Sequence, residues 1–326
     1  MTSRRAFLLG LAALYPVVAR SQRAPRSEKP LRVGILTLFP AAMFRIQEKA
    51  FVDSMRELGW VEGRNIIFDR VYADNDAARL PVLAAELVSR GPHVIYAQAN
   101  LPARAAFSET SKVPIVFAGV DDPVQLGVIK SLSRPGGNIT GIVNMGWELS
   151  GKRMQLLKEA MPKLGRVGVL MTPYRGASEG LKLIEQAAGS NVQVIPAMVK
   201  GAKELDAAFA LLAQNKVDAV LTSHVTLFLR ERKRIVELAA KQRLPVMGHR
   251  SELADSGALM SYSSLLTDDI RRGAQLVDKV LKGTKPTDIP VEQPTKFALV
   301  VNMKTAKALG IAIPQSILLQ AERVIE

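Results

Sequence analysis

Apolar and polar positions change period along this chain in a regular order. Residues 31–36 form a nearly unbroken apolar run, the pattern of a strand covered on both faces. Phe44, Phe51, Met55 and Leu58 then share one helical face, and Gly59 stops that helix. Residues 65–71 read as a second strand. Residues 79–89 read as a helix with Pro81 in its first turn, where a missing N–H costs little. Residues 94–97, 102–110 and 114–118 continue as strand, helix and strand, and another apolar run occupies 139–143. Strands alternating with helices of this length predict parallel βαβ units.

The order then restarts. Arg166-Val167-Gly168-Val169-Leu170 echoes Arg32-Val33-Gly34-Ile35-Leu36 at an offset of 134, and later pairs of segments echo each other at offsets of about 125 and 131. A repeat near 130 residues is one whole α/β domain used twice. The expected fold is therefore α/β, with two doubly wound parallel-sheet lobes, a hinge and a central cleft. The tail does not repeat. It reads as a strand at 257–262, an amphipathic helix at 268–281, a strand at 297–301 and short helices at 304–309 and 315–324. With the tail returning to both lobes, the expected division is 31–143 plus 258–290 for the first lobe and 144–257 plus 291–326 for the second. The turn-rich run Arg134-Pro135-Gly136-Gly137-Asn138 marks the end of the first lobe and the crossing to the next.

The N-terminus bears on compartment. Arg4-Arg5 precedes an apolar run of about 13 residues, too short to span a bilayer as a helix, and Ala19-Arg20-Ser21 offers small residues at the cleavage positions. Residues 1–21 thus read as a signal peptide of twin-arginine type, 22–30 as a flexible lead-in, and the destination as the periplasm. The chain has no cysteine, which excludes disulfides, thiolate nucleophiles and zinc–thiolate sites. Net charge is +14, but the charges are interspersed and the densest basic cluster, at 230–234, contains Glu231. That describes a solvated face, not a nucleic-acid surface.

In parallel sheets the loops after the strands face the crevice. That rule selects Thr37, Phe39, Gln98, Asn100 and Asp121 in the first lobe and Tyr174, Thr222, Ser223 and His224 in the second, with Asn144 and Tyr262 at the crossings. Hydroxyls and amides suit a neutral or zwitterionic solute, and a carboxylate takes an ammonium group. Asp121 is the expected ammonium partner, and Asp122, before Pro123, the cap of a following helix. Phe39, Tyr174 and Tyr262 can stack on an apolar part of the ligand, and Phe39 fits core packing equally well. His224 and His249 lack the companions a metal site needs. No phosphate-binding, dinucleotide or zinc-protease motif is present, and no cofactor is expected. Gly176-Ala177-Ser178-Glu179-Gly180 fits G-x-S-x-G, the signature of an exported α/β hydrolase, but 172–175 separate it from the preceding strand, whereas that motif needs a direct strand-to-helix turn.

Several stretches together resemble the periplasmic substrate-binding proteins of ABC transporters, in the tryptophan/tyrosine-type branch. They are Arg56-Glu57-Leu58-Gly59-Trp60-Val61-Glu62-Gly63-Arg64-Asn65, then Asp122-Pro123 through Pro135-Gly136-Gly137-Asn138-Ile139-Thr140-Gly141. Near the end are Met260-Ser261-Tyr262 and Pro290-Val291-Glu292-Gln293-Pro294-Thr295-Lys296-Phe297. The resemblance covers 31–326. It implies a type I periplasmic-binding fold, no catalysis, a monomer, and delivery of a small solute to an inner-membrane permease. A ligand-sensing partner of a membrane receptor would use the same fold. A DNA-binding regulator on these lobes needs an N-terminal helix-turn-helix, where this chain has its leader. The chain departs from the family at Ala97-Gln98-Ala99-Asn100, where a Gly-Thr or Gly-Ser loop is expected, so the ligand does not carry over.

Overall fold

The computed structural model describes residues 29–173 and 177–326. The expected leader, most of the lead-in and Tyr174 lie outside the described residues. The first half runs β1 (Leu31–Thr37), α1 (Ala41–Glu57), β2 (Ile66–Tyr72), α2 (Leu80–Ser89), β3 (Val94–Gln98), α3 (Asn100–Glu109), β4 (Ile115–Val120) and β5 (Ile139–Val143). The second half follows with α4 (Glu148–Ala160), β6 (Arg166–Met171), α5 (Ala177–Ala188), β7 (Gln193–Met198), α6 (Leu205–Gln214), β8 (Ala219–Thr222), α7 (Thr226–Arg230), α8 (Arg232–Lys241), β9 (Val246–Gly248) and α9 (Ser251–Asp255). The tail is β10 (Met260–Ser264), α10 (Leu266–Leu281), β11 (Phe297–Asn302), α11 (Met303–Leu309), α12 (Gln315–Gln320) and β12 (Arg323–Ile325).

Two sheets result. The first has the order β2-β1-β3-β4-β5, all parallel. The second repeats it as β7-β6-β8-β9-β10, then adds β11 antiparallel to β10 and β12 parallel to β11. The repeat extends to packing. A Cβ at Gly34 of β1 would stand 2.8 Å from Leu87 of α2, and one at Gly168 of β6 would stand 2.5 Å from Leu212 of α6. Each glycine lets a crossover helix settle onto the strand that leads its sheet, a use of glycine for close approach.

The other quoted stretches are architectural as well. Gly59, at φ 94°, ends α1 with its N–H on Arg56 O, and Trp60 N–H reaches Met55 O at 2.9 Å, a Schellman closure. The Trp60 indole then donates to Asp278 of α10 at 2.8 Å, tying α1 to a helix made more than two hundred residues later. Gly136 and Gly137 both have positive φ, and Asn138 Nδ2 donates to the carbonyls of Thr110 and Val113. That turn sits at the start of β5, the end away from the cleft. The crossing lies instead after β5, at 144–147, because β5 pairs with β4 along its whole length.

The chain crosses three times: after β5, between β10 and α10, and between 290 and 297. The last crossing runs alongside β5 before leaving it, with Glu292 N–H on Gly141 O and Val143 N–H on Glu292 O.

Two tail expectations change. The strand assigned with 258–290 to the first lobe joins the second sheet, where Met260 pairs with Met247 and Val301. The rest of that segment returns: α10 packs Ile270, Ala274 and Val277 into the first-lobe core beside Val33, Tyr96 and Ile142, and Ile289 joins them, its carbonyl accepting from Thr140 Oγ1 at 2.8 Å. Residues 258–260 are buried completely, so their apolar run suits the centre of either sheet. The helix expected over 315–324 stops at Gln320. Ala321 turns extended and 323–325 pair with β11. Ile317, Leu318, Ala321 and Val324 happen to follow a helical spacing.

Candidate functional site

The carboxyl ends of both sheets' parallel strands meet across a cleft, and side chains from the two lobes touch there. Asn100, the first residue of α3, bonds Asp121 twice: its Nδ2 donates to Asp121 Oδ2 at 2.7 Å, and its Oδ1 accepts the Asp121 N–H at 2.9 Å. Ala99, just before it, holds φ 75° and ψ 172°, a backbone region where a non-glycine residue is strained. This strained residue lies where the sequence departs from the glycine loop that the resemblance implies. His224, from the loop after β8, reaches back to the first lobe. Its Nδ1 stands 3.5 Å from Asp121 Oδ1, ion-pair range but not hydrogen-bond alignment, and Asn144 Nδ2 lies 3.1 Å from both ring nitrogens. Gly146 makes room for this ring: a Cβ there would stand 2.6 Å from His224 Cγ.

Behind His224 the second lobe is buried. Thr222 is fully buried, and its Oγ1 lies 2.9 Å from His249 Nδ1 and accepts the His249 N–H at 3.2 Å. The His224 and His249 rings meet edge to face, 5.0 Å apart. Burial holds His249 well below the usual imidazole range, with the neighbouring His224, Arg153 and Arg250 adding to the effect, so it is neutral at pH 7.

Of the sequence-selected residues, Asn100, Asp121, Asn144 and His224 form one contact set. Thr222 joins it through His249. Thr37 is fully buried at the end of β1, where its Oγ1 accepts the Phe39 N–H at 3.3 Å. Phe39 packs against the first-lobe core. Tyr262 is half-buried and stacks on Phe297 with 6.0 Å between centroids. Three polar atoms at strand ends are buried without a partner: Gln98 Oε1, Asp121 Oδ1 and Ser223 Oγ. Asp122 caps a turn, not a helix, accepting the Gln125 N–H at 2.9 Å, because 123–127 fold into successive turns. Ser178 lies exposed on α5 and donates to its neighbour Glu179 at 2.8 Å.

Sequence reading missed two ionisable groups. Arg153 of α4 is fully buried although it interrupts the apolar face formed by Leu149, Leu156 and Ala160. A cation at that spacing is the signal that would have found it. Asp269, in the first turn of α10, accepts from Ser264 Oγ at 2.6 Å. Burial pushes its carboxyl up to about 6, with the Asp268 charge adding, while the Ser264 bond, Arg250 and Arg272 oppose the shift. Its folded pKa lies above the unfolded value of 3.8, so the folded state binds the proton more tightly. Stability therefore falls as pH rises between about 4 and 6, and the penalty is full above that window. Asp269→Asn is expected to match wild type at pH 3.5 and to exceed it by about 3 kcal/mol at pH 8 in urea unfolding. An equal difference at both pH values overturns this.

Known proteins share this architecture. The chain matches the family described as ABC transporter substrate binding protein over residues 33–325. It is 27% identical over 290 residues to a tyrosine-binding protein of Clostridioides difficile (strain R20291), covering 87% of this chain and 82% of that one. A Streptococcus pneumonia domain solved in complex with L-Trp superposes with a TM-score of 0.83 at 23% identity, over 91% of this chain and all of that one. The ligand-free, open structure of a Clostridium difficile substrate-binding protein with adhesive properties gives 0.70 at 24%, over 90% and 99%. With two like lobes, three crossings and a polar cleft between strand ends, the chain belongs to the ABC transporter substrate-binding protein family.

Proposed function

We propose that this protein captures an aromatic amino acid, L-tyrosine or L-tryptophan, between its lobes and hands it unchanged to a permease in the inner membrane. The observation that carries the reading is the pair of unpartnered acceptors at neighbouring strand ends. Gln98 Oε1 closes β3 and Asp121 Oδ1 follows β4, and one of them is an acid's oxygen. An ammonium group, with three N–H donors and a positive charge, satisfies both. Ser223 Oγ, on the facing lobe, offers a donor to the ligand's other end. The remaining contacts are Thr37, Phe39, Asn100, Asn144, Thr222, His224, Tyr262 and, outside the described residues, Tyr174. Two comparisons support the ligand class: one relative is a tyrosine-binding protein, and one structure of the same fold was solved in complex with L-Trp.

The test is thermal unfolding of residues 22–326 with L-tyrosine, L-tryptophan, other amino acids, sugars and nucleosides. A ligand at ~100 times its Kd stabilises by about 2.7 kcal/mol, a shift of several degrees. A shift with the aromatic amino acids alone is the expected result, and a shift only with sugars or nucleosides overturns the ligand class. We also propose export to the periplasm by the twin-arginine route. Chain with Arg4 and Arg5 replaced by lysine should then remain in the cytoplasm, and normal export of that variant overturns the route.

A further inference from the structure

Arg153 is the bulkiest side chain in the described residues with no exposed surface. Its Nε donates to Tyr262 O at 2.7 Å, its Nη1 to Gly146 O at 2.8 Å and Ser150 Oγ at 3.4 Å, and its Nη2 to His249 O at 3.5 Å. The three carbonyls come from three segments that meet at the cleft floor: the first crossing, the strand entering the second crossing, and the loop after β9. Every partner is neutral. No carboxylate pairs with Arg153 among the described residues, whereas the neighbouring Arg250 has Glu252 at 3.2 Å. A buried cation without a counter-ion is costly, and carbonyl dipoles offset only part of that cost. Burial lowers the guanidinium to about 9, helped by Arg250, so it stays charged at neutral pH.

The opposite wall carries the reverse imbalance. Asp121 has one oxygen without a hydrogen-bond partner, and its ionisable neighbour across the cleft is His224. Between the two stand His249, held neutral in part by the Arg153 charge, and Asn144. The cleft is thus negative on the first lobe and positive beneath the second. Holding the Gly146 and His249 carbonyls also fixes the peptide planes that follow them. In a trans peptide the N–H points away from its C=O, so the N–H ends of those planes face away from the guanidinium.

We propose that Arg153 is a positioning residue that makes the site selective for a free carboxylate. It supplies the positive pole and orients the two peptide planes, so that the bound amino acid lies with its ammonium at Asp121 and its carboxylate over the second lobe. This rests on the aromatic-amino-acid reading above. A purely architectural Arg153 would only fill the gap where β9 and β10 diverge, and its loss would then weaken every ligand alike.

The experiment compares L-tyrosine with L-tyrosinamide, and L-tryptophan with L-tryptophanamide, by titration calorimetry on wild type, Arg153→Lys and Arg153→Met. Wild type is expected to prefer the acid by about 30-fold, the range of one charge-assisted contact. Arg153→Lys should keep most of that preference, and Arg153→Met should reduce it to within about threefold. Two results overturn the proposal: a wild type that binds acid and amide equally, or a Met variant that weakens both by the same factor. The wild-type comparison stands even if Arg153→Met does not fold. A wild type that binds neither acid nor amide sinks the aromatic-amino-acid reading itself.

Discussion

Asp121→Ala is expected to weaken binding of L-tyrosine or L-tryptophan about 100-fold while moving the melting temperature by no more than about 3 °C. The two effects separate because of how the carboxylate is held. Oδ2 is bonded to Asn100, and the Asn100 side chain keeps the Asp121 main-chain N–H whatever side chain is present. Oδ1 has no hydrogen-bond partner, so little folding energy depends on it. An ammonium placed there makes a charge-assisted contact worth about 1.5–3 kcal/mol, and losing it corresponds to roughly 10- to 150-fold in Kd. Asp121→Asn preserves the shape and the Asn100 contact, so it isolates the charge. Calorimetry on both variants checks the result, and a loss under threefold in Asp121→Ala removes Asp121 from the ammonium role.

Gly141→Ala is expected to cost about 3 kcal/mol or more. Gly141 lies in β5 opposite Phe117 of β4, and a Cβ there would stand 2.2 Å from the Phe117 carbonyl oxygen and 2.6 Å from its ring. A main-chain atom cannot swing aside, so the two strands must part. The same residue accepts the Glu292 N–H, so parting the strands also loosens the third crossing. Gly137→Ala provides the comparison. Gly137 has φ 92° with open space around it, so alanine there suffers backbone strain alone, roughly 1–2 kcal/mol. Urea unfolding of the two variants decides the matter, and Gly141→Ala no less stable than Gly137→Ala would show that the sheet absorbs the added carbon.

The alternation of periods made the element order readable, and the echo of Val33-Gly34 in Val167-Gly168 made the duplication readable. Both glycines do the same packing job under α2 and α6. Sheet membership in the tail was hidden for a physical reason. A strand such as 260–264, covered on both faces, carries no mark of which sheet covers it. The site was legible as a set of strand ends, since parallel sheets put all those ends on one side. Which ends touch depends on how the lobes face each other, a relation between Asp121 or Asn144 and a histidine 80 or more residues away. Arg153 was hidden by its neighbours: Gly151-Lys152-Arg153 looks like an ordinary polar helix turn, and only its register with Leu149 and Leu156 marks it as buried.

Helix α10 covers one face of the first sheet, yet 122 residues separate the end of β5 at Val143 from its start at Leu266. A ribosome adding about 5–20 residues per second therefore leaves that face covered only by α1 for roughly 6–25 s. Throughout that interval Phe51 of α1 already stacks on Tyr96, but Val116, Ala118 and Ile142 on β4 and β5 lack the α10 cover, while the strands of the second lobe are emerging with similar apolar faces and the same pairing order. The nascent chain is most exposed to mispairing between its own duplicated halves during this interval. A holding factor that recognises exposed apolar strands would act on it then, and release becomes possible once Trp60 can reach Asp278.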